Sequence, residues 1–66
     1  MYLEIINQMK KRKETQQDIA KLLELDQTQI SRKLSGYIDW STDEIKILCK
    51  HYNMKFEKLF RKENER

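Results

Sequence analysis

A group of polar side chains with the chemistry to recognise base pairs lies in the middle of the chain. The members of this group are Gln27, Thr28, Ser31 and Arg32. Their spacing puts them on one outward face of a helix. A glutamine amide can pair with adenine, an arginine guanidinium with guanine, and a threonine methyl group can contact the methyl group of thymine. A polar helix face is more often only a solvated surface. The sequence around it must therefore distinguish a base-recognition surface from a solvated one.

Other kinds of site chemistry have little support in the sequence. Cys49 is the only cysteine and His51 the only histidine, so neither a disulfide nor a Cys/His metal centre is predicted. We expect Cys49 in the core and His51 at the surface. Catalysis would require titrating groups in a concave pocket, and so small a chain offers little volume for one. We therefore predict no catalytic residue, no metal site and no cofactor.

The composition limits the chain to one small helical domain. Its 66 residues include 14 Lys or Arg, 11 Asp or Glu, one Gly and no Pro. The apolar residues recur at helical spacing, and the absence of Pro and Val together with the single Gly argues against a β-sheet. No apolar run is long enough for a secretory signal or a membrane span. The expected location is the cytoplasm of a bacterial or phage-infected bacterial cell.

Capping residues and apolar spacing predict five helices. The first is expected over about residues 2–12. The expected N-caps of the next three are Thr15, Asp26 and Ser41. Ser41 and Glu44 have the spacing of a capping box, and Gly36 is expected to end the third helix in the left-handed conformation. A short fifth helix follows, so we predict one domain over residues 1–60 and a frayed tail over 61–66.

The segment from Thr15 to Gly36 has the arrangement of a helix-turn-helix, because only Glu24 and Leu25 separate its two helices. Its sequence, TQQDIAKLLELDQTQISRKLSG, resembles the helix-turn-helix core of the phage Cro and repressor (XRE-like) family. The downstream sequence STDEIKILCKHYNMKFEKLF is similar to the last two helices of that family. The resemblance implies an all-α, compact five-helix repressor-like domain and sequence-specific operator binding, usually by a dimer.

The resemblance also implies roles for individual residues. The positions that match base contacts are Gln27, Thr28, Gln29 and Arg32. Gln16 matches a residue that often touches a phosphate, and Ser31 matches a supporting contact. Ala20 matches the small residue at which the two helices approach closely. The positions that match buried residues are Ile19, Leu23, Leu25 and Ile30.

The sequence departs from the family pattern at three places. Glu24 replaces the usual glycine of the turn, a position that strains a residue with a Cβ atom. Lys33 stands where an apolar residue is common; we expect its stem to cover apolar surface while its ammonium reaches solvent or a phosphate. Tyr37, Ile38 and Trp40 follow the third helix, where relatives often carry basic residues. They form a possible interface, with the core as the other expected place for Trp40.

Two functional hypotheses follow. The first is a transcriptional regulator of phage or mobile-element type, acting as a repressor, that binds a double-stranded DNA operator as a homodimer with its third helix in the major groove. The second is a protein-interaction module on a helix-turn-helix scaffold, acting as an antirepressor or as an inhibitor of a host or defence protein. The residues that motivate the second are Tyr37, Ile38, Asp39 and Trp40. Neither hypothesis involves a membrane.

Overall fold

Five α-helices make up most of the computed structural model, which describes residues 1–61. They are α1 (Leu3–Lys11), α2 (Gln16–Leu23), α3 (Gln27–Ser35), α4 (Thr42–Tyr52) and α5 (Phe56–Leu59). The described residues contain no strand, so the all-helical, five-helix prediction is confirmed. Within residues 1–61, no helix has the length and apolar character needed to cross a membrane. Of the predicted tail 61–66, Arg61 is exposed and follows the last helix, and 62–66 lie outside the described residues.

Reciprocal capping boxes begin α2, α3 and α4. At α2, the hydroxyl of Thr15 accepts a hydrogen bond from the amide of Asp18, whose carboxylate accepts one from the amide of Thr15 at 2.9 Å. These hydrogen bonds hold the pKa of the Asp18 carboxyl below its usual value. The other two boxes pair Asp26 with Gln29 and Ser41 with Glu44. All three predicted N-caps are therefore confirmed.

The first four helices end in one common motif. A residue with positive φ follows each helix, and the next amide bonds to the carbonyl five residues back. The positive-φ residues are Lys13 (58°), Glu24 (59°), Gly36 (90°) and Asn53 (54°). Gly36 thus has the predicted left-handed conformation. Glu24 adopts it despite its Cβ atom, at the turn between α2 and α3.

The core is built from aliphatic side chains of all five helices. Its fully buried members are Ile5, Ile19, Ile30, Leu48 and Leu59. Ala20 is also buried in α2, which packs against α3. Leu25 is only partly buried but packs against this core. Together these residues fix the two helices of the predicted helix-turn-helix against each other.

Aromatic side chains extend the core on the side of Tyr2, Trp40 and Phe60. The ring of Trp40 meets Tyr2 at 6.1 Å and Phe60 at 5.6 Å between centroids, both edge to face. Trp40 is only 8% exposed. Trp40 therefore lies in the core, one of the two places expected for it, and an interface role stays a prediction. Its Nε1 has no hydrogen-bond partner in the described part of the chain.

Candidate nucleic-acid interface

A shallow groove of about 350 Å³ lies between the start of α2 and the outer face of α3. Its lining residues are Gln16, Gln27, Thr28, Ser31 and Arg32. All five were predicted from the sequence as contact residues. The structure therefore brings together, on one concave polar surface, residues that are as far apart in the chain as positions 16 and 32.

The buried side of α3 determines which of its residues face the groove. Ile30 and Leu34 point into the core, which leaves Gln27, Thr28, Ser31 and Arg32 on the exposed side of the helix. Gln16 reaches the same groove because it is the first residue of α2, directly after the Thr15 cap. The groove therefore depends on how α2 packs against α3.

Arg32 is the only cationic residue among those that line the groove in the described chain, and none of the lining residues is acidic. The remaining groups are amides and hydroxyls, which can donate and accept hydrogen bonds. Such a surface can recognise a partner with its own pattern of donors and acceptors. A single guanidinium also provides a bidentate donor for an acceptor pair.

Gln29 is the predicted base contact that the structure does not place in the groove. Its side-chain Oε1 accepts a hydrogen bond from the backbone amide of Asp26 at 3.3 Å. The backbone amide of Gln29 in turn donates a hydrogen bond to the Asp26 carboxylate. The side chain is exposed, so its Nε2 keeps its donor capacity. A base contact by Gln29 stays a prediction, with the capping role now observed beside it.

Lys33 does not have the location that the sequence predicted. Its Nζ lies 2.6 Å from Oε1 of Glu44 and 3.2 Å from the carbonyl oxygen of Asp39, and it sits over the Trp40 ring. The side chain is buried, so the expectation that its ammonium reaches solvent or a phosphate is wrong. An acceptor set within the protein replaces water around the charge, which is why a lysine can occupy this position.

The carboxylate of Glu44 is stabilised by the same contact. Burial disfavours its charged form, but hydrogen bonds from Lys33 and from the Ser41 amide outweigh burial and hold the pKa of Glu44 below its usual value. Lys33 belongs to α3 and Glu44 to the first turn of α4. The ion pair therefore fixes the C-terminal part of α3 to α4.

The predicted interface residues separate into two groups. Tyr37 is 81% exposed and Ile38 is exposed beside it, whereas Trp40 lies in the core. The amides of Tyr37 and Ile38 both bond to the carbonyl of Arg32, which fixes their backbone to the end of α3. The exposed pair therefore has a defined position at the C-terminal end of α3.

A second polar cluster was not predicted. Nε2 of His51 lies 2.7 Å from Oε2 of Glu14, and the hydroxyl of Tyr52 donates to Oε1 of the same carboxylate at 2.6 Å. Arg12 donates to the carbonyl of His51, and its guanidinium lies over the Tyr52 ring. Burial and the Glu14 carboxylate raise the pKa of Tyr52. His51 is half-buried rather than a surface residue, because it helps to bind the α1–α2 connection to α4.

This cluster matters for the groove because Glu14 directly precedes Thr15 and Gln16. Fixing Glu14 to the end of α4 sets where α2 begins. No local sequence pattern predicts the contact between Glu14 and His51, because these residues are 37 positions apart in the chain. Cys49, on the same helix, is partly buried and packs against the core as predicted, and burial raises the pKa of its thiol.

In a comparison with protein families, the chain matches a family model described as the BetR domain. The match covers residues 4–66, which include the groove, the Lys33–Glu44 ion pair and both helices of the helix-turn-helix. No curated protein and no solved structure matches the chain. The matched family is one of small helix-turn-helix domains, which indicates a DNA-binding or regulatory role.

Proposed function

Because this chain belongs to the BetR domain family, we propose that it is a sequence-specific DNA-binding transcriptional regulator of the Cro and repressor type. It binds a short palindromic operator as a homodimer and represses by occluding a promoter. The observation that carries this proposal is the groove that gathers Gln16 and the outer face of α3 on one polar surface. This family, the resemblance of residues 15–60 and the groove all favour the same function.

The groove residues have complementary roles in this proposal. Arg32 pairs with guanine, Gln27 with adenine, and the methyl group of Thr28 contacts thymine. Gln16 binds a phosphate at the start of α2, and Ser31 supports the neighbouring contacts. Two copies place their α3 helices in successive major grooves, roughly 34 Å apart.

The charge of the surface predicts how binding depends on salt. Lys33 is engaged with Glu44 inside the protein, so Arg32 is the one exposed cation of α3. Fewer phosphate contacts release fewer counterions, which makes the dependence of affinity on salt shallower. We therefore expect affinity that comes more from base contacts than from the DNA backbone.

Selection of bound duplexes from a random DNA pool tests the proposal. We expect enrichment of a palindromic motif whose half-sites are about 10 base pairs apart. The matched control is the variant Arg32→Ala/Gln27→Ala, which removes two groove side chains that are exposed and have no part in the core. Absence of any enriched motif for the unmodified chain at low salt contradicts the proposal.

The exposure of Tyr37 favours a second function, a protein-interaction module that acts as an antirepressor or inhibitor. Tyr37 and Ile38 present apolar surface directly after α3, as interface residues often do. Protein binding through this pair varies little with salt and is lost in Tyr37→Ser. DNA binding falls as salt rises and is lost in the Arg32→Ala/Gln27→Ala variant.

A further inference from the structure

An aromatic hollow opens on a different part of the surface from the groove. It has a volume of about 280 Å³. Its lining residues are Tyr2, Asp39, Trp40, Ile45, Phe56 and Phe60. One of them, Phe56, is 53% exposed and stacks on Phe60 with 5.6 Å between ring centroids. The same patch therefore carries a recess lined mainly by aromatic residues and, in its wall, a half-exposed phenylalanine ring.

The aromatic hollow and the groove share no lining residue. The hollow lies by the C-terminal end of α3, where the amide of Tyr2 bonds to the carbonyl of Leu34 and Asp39 follows in the chain. The groove residues of α3 come from its first six positions, Gln27 to Arg32. The two surfaces are therefore built from separate residues.

We propose that a second copy of this chain covers the aromatic hollow, with Phe56 of each copy entering the hollow of the other around a two-fold axis. This inference rests on the proposed homodimer and names its surface. A two-fold interface uses the same patch on both copies, so it needs a projection and a recess side by side. Phe56, which is half exposed, and the hollow that it lines together with Trp40 and Ile45 provide them.

Charge complementarity favours a second copy as the occupant. Lys55 directly precedes Phe56 and is exposed, and Asp39 lines the hollow and is exposed. When Phe56 enters the hollow of the other copy, Lys55 approaches Asp39 of that copy. The two-fold axis repeats this pairing, so the interface contains two pairs of opposite charge. Opposite charges across an interface favour this orientation over others.

The size of the hollow predicts weak association in the absence of DNA. A recess that accepts one aromatic side chain gives an interface at the small end of the range for specific contacts. An operator with two half-sites holds both copies close together and strengthens their contact through effective concentration. The dimer is therefore expected to form at high protein concentration in solution and at low concentration on DNA.

Sedimentation equilibrium of the full chain without DNA tests this surface. We expect a monomer–dimer equilibrium with a dissociation constant below about 1 mM. Phe56→Ser is expected to raise this dissociation constant at least about tenfold. The matched control is Ile47→Ser, because Ile47 is an exposed apolar residue of α4 that does not line the hollow. A chain that stays monomeric throughout, or equal weakening by the two substitutions, overturns the inference.

A charge-reversal mixture tests the pairing itself. Lys55→Glu alone and Asp39→Lys alone each place like charges together twice, so each variant is expected to self-associate at least about tenfold more weakly. A mixture of the two variants restores two attractive pairs and forms a mixed dimer. Failure of the mixture to associate overturns the inference. If the chain stays monomeric but still selects a DNA motif, the proposed dimer surface is refuted and the proposed DNA binding is not. If the chain dimerises but selects no DNA motif, only the proposed DNA binding is refuted.

Discussion

The ammonium of Lys33 lies 2.6 Å from Oε1 of Glu44, and both side chains are almost entirely removed from solvent. The same carboxylate accepts a hydrogen bond from the amide of Ser41 and so completes the capping box of α4. One acidic side chain thus stabilises the start of α4 and neutralises a buried charge of α3. The position of the proposed recognition helix depends on this shared contact.

We expect Glu44→Gln to lower the free energy of unfolding by roughly 1–3 kcal/mol, because the glutamine keeps an acceptor for Ser41 but leaves Lys33 buried without a counter-charge. Urea denaturation measures the loss. The control is the double variant Lys33→Met/Glu44→Gln, in which an apolar side chain fills the space of the lysine stem. Recovery of most of the lost stability is expected there. A double variant no more stable than Glu44→Gln would show that the charge is not the cause.

The lowered pKa of Glu44 predicts a loss of stability in acid. A carboxyl whose pKa is lower in the folded than in the unfolded protein stabilises the fold above the unfolded value, here 4.5, and this contribution disappears as pH falls through the folded pKa. Urea denaturation from pH 6 downwards is expected to show this decline. In Glu44→Gln the decline should be smaller. An identical pH profile for the two proteins would remove Glu44 as its source.

Local sequence patterns predict the five helices well because their signals lie within a few residues of each other. Thr15, Asp26 and Ser41 are short polar residues directly before apolar helical spacing, and each is an N-cap in the structure. Gly36 marks the end of α3 for the same reason. The outer face of α3 was predictable to the same extent, because the buried residues of α3 determine its exposed face, whereas the place of Gln16 in the groove was implied only by the family resemblance.

The incorrect and missing predictions concern contacts between distant parts of the chain. The location of Lys33 depends on Glu44, 11 residues later, and that of His51 on Glu14, 37 residues earlier. The sequence alone did not place Trp40 in the core, because that location depends on its packing against Tyr2 and Phe60. Pattern reasoning treats each helix face alone, so it cannot assign a partner for a charge or a ring.

The left-handed conformation of Glu24 predicts a stabilising substitution. A Cβ atom makes this conformation unfavourable, and glycine removes that cost while increasing the freedom of the unfolded chain. We expect Glu24→Gly to raise the free energy of unfolding by roughly 0.5–1 kcal/mol. Thermal and urea denaturation measure this gain. Lys46→Gly, in the exposed middle of α4, is the control and should lower stability by about 1 kcal/mol. Destabilisation by both substitutions would contradict the argument.

The environment of Trp40 predicts different results for two substitutions. Trp40→Ala removes a ring that contacts Tyr2 and Phe60, so we expect a loss of roughly 3–5 kcal/mol. Trp40→Phe keeps an aromatic ring and removes the Nε1 donor, which has no partner in the described residues, so its loss should be at least about 1 kcal/mol smaller. Chemical denaturation of both variants measures the difference. Equal losses would mean that the ring is not the stabilising part.

Arg32→Ala tests the central role in the proposed DNA contact. If Arg32 pairs with guanine, specific binding weakens by roughly 1–3 kcal/mol and the preference for guanine is lost at one position of each half-site, while the slope of affinity against salt changes little. Fluorescence anisotropy with the selected operator and its single-base variants measures all three quantities. Lys46→Ala is the control, since Lys46 is an exposed cation of α4 outside the groove.

Uniform weakening across all DNA sequences, with a shallower dependence of affinity on salt, would instead assign Arg32 to a phosphate contact. Unchanged binding would exclude Arg32 from the interface.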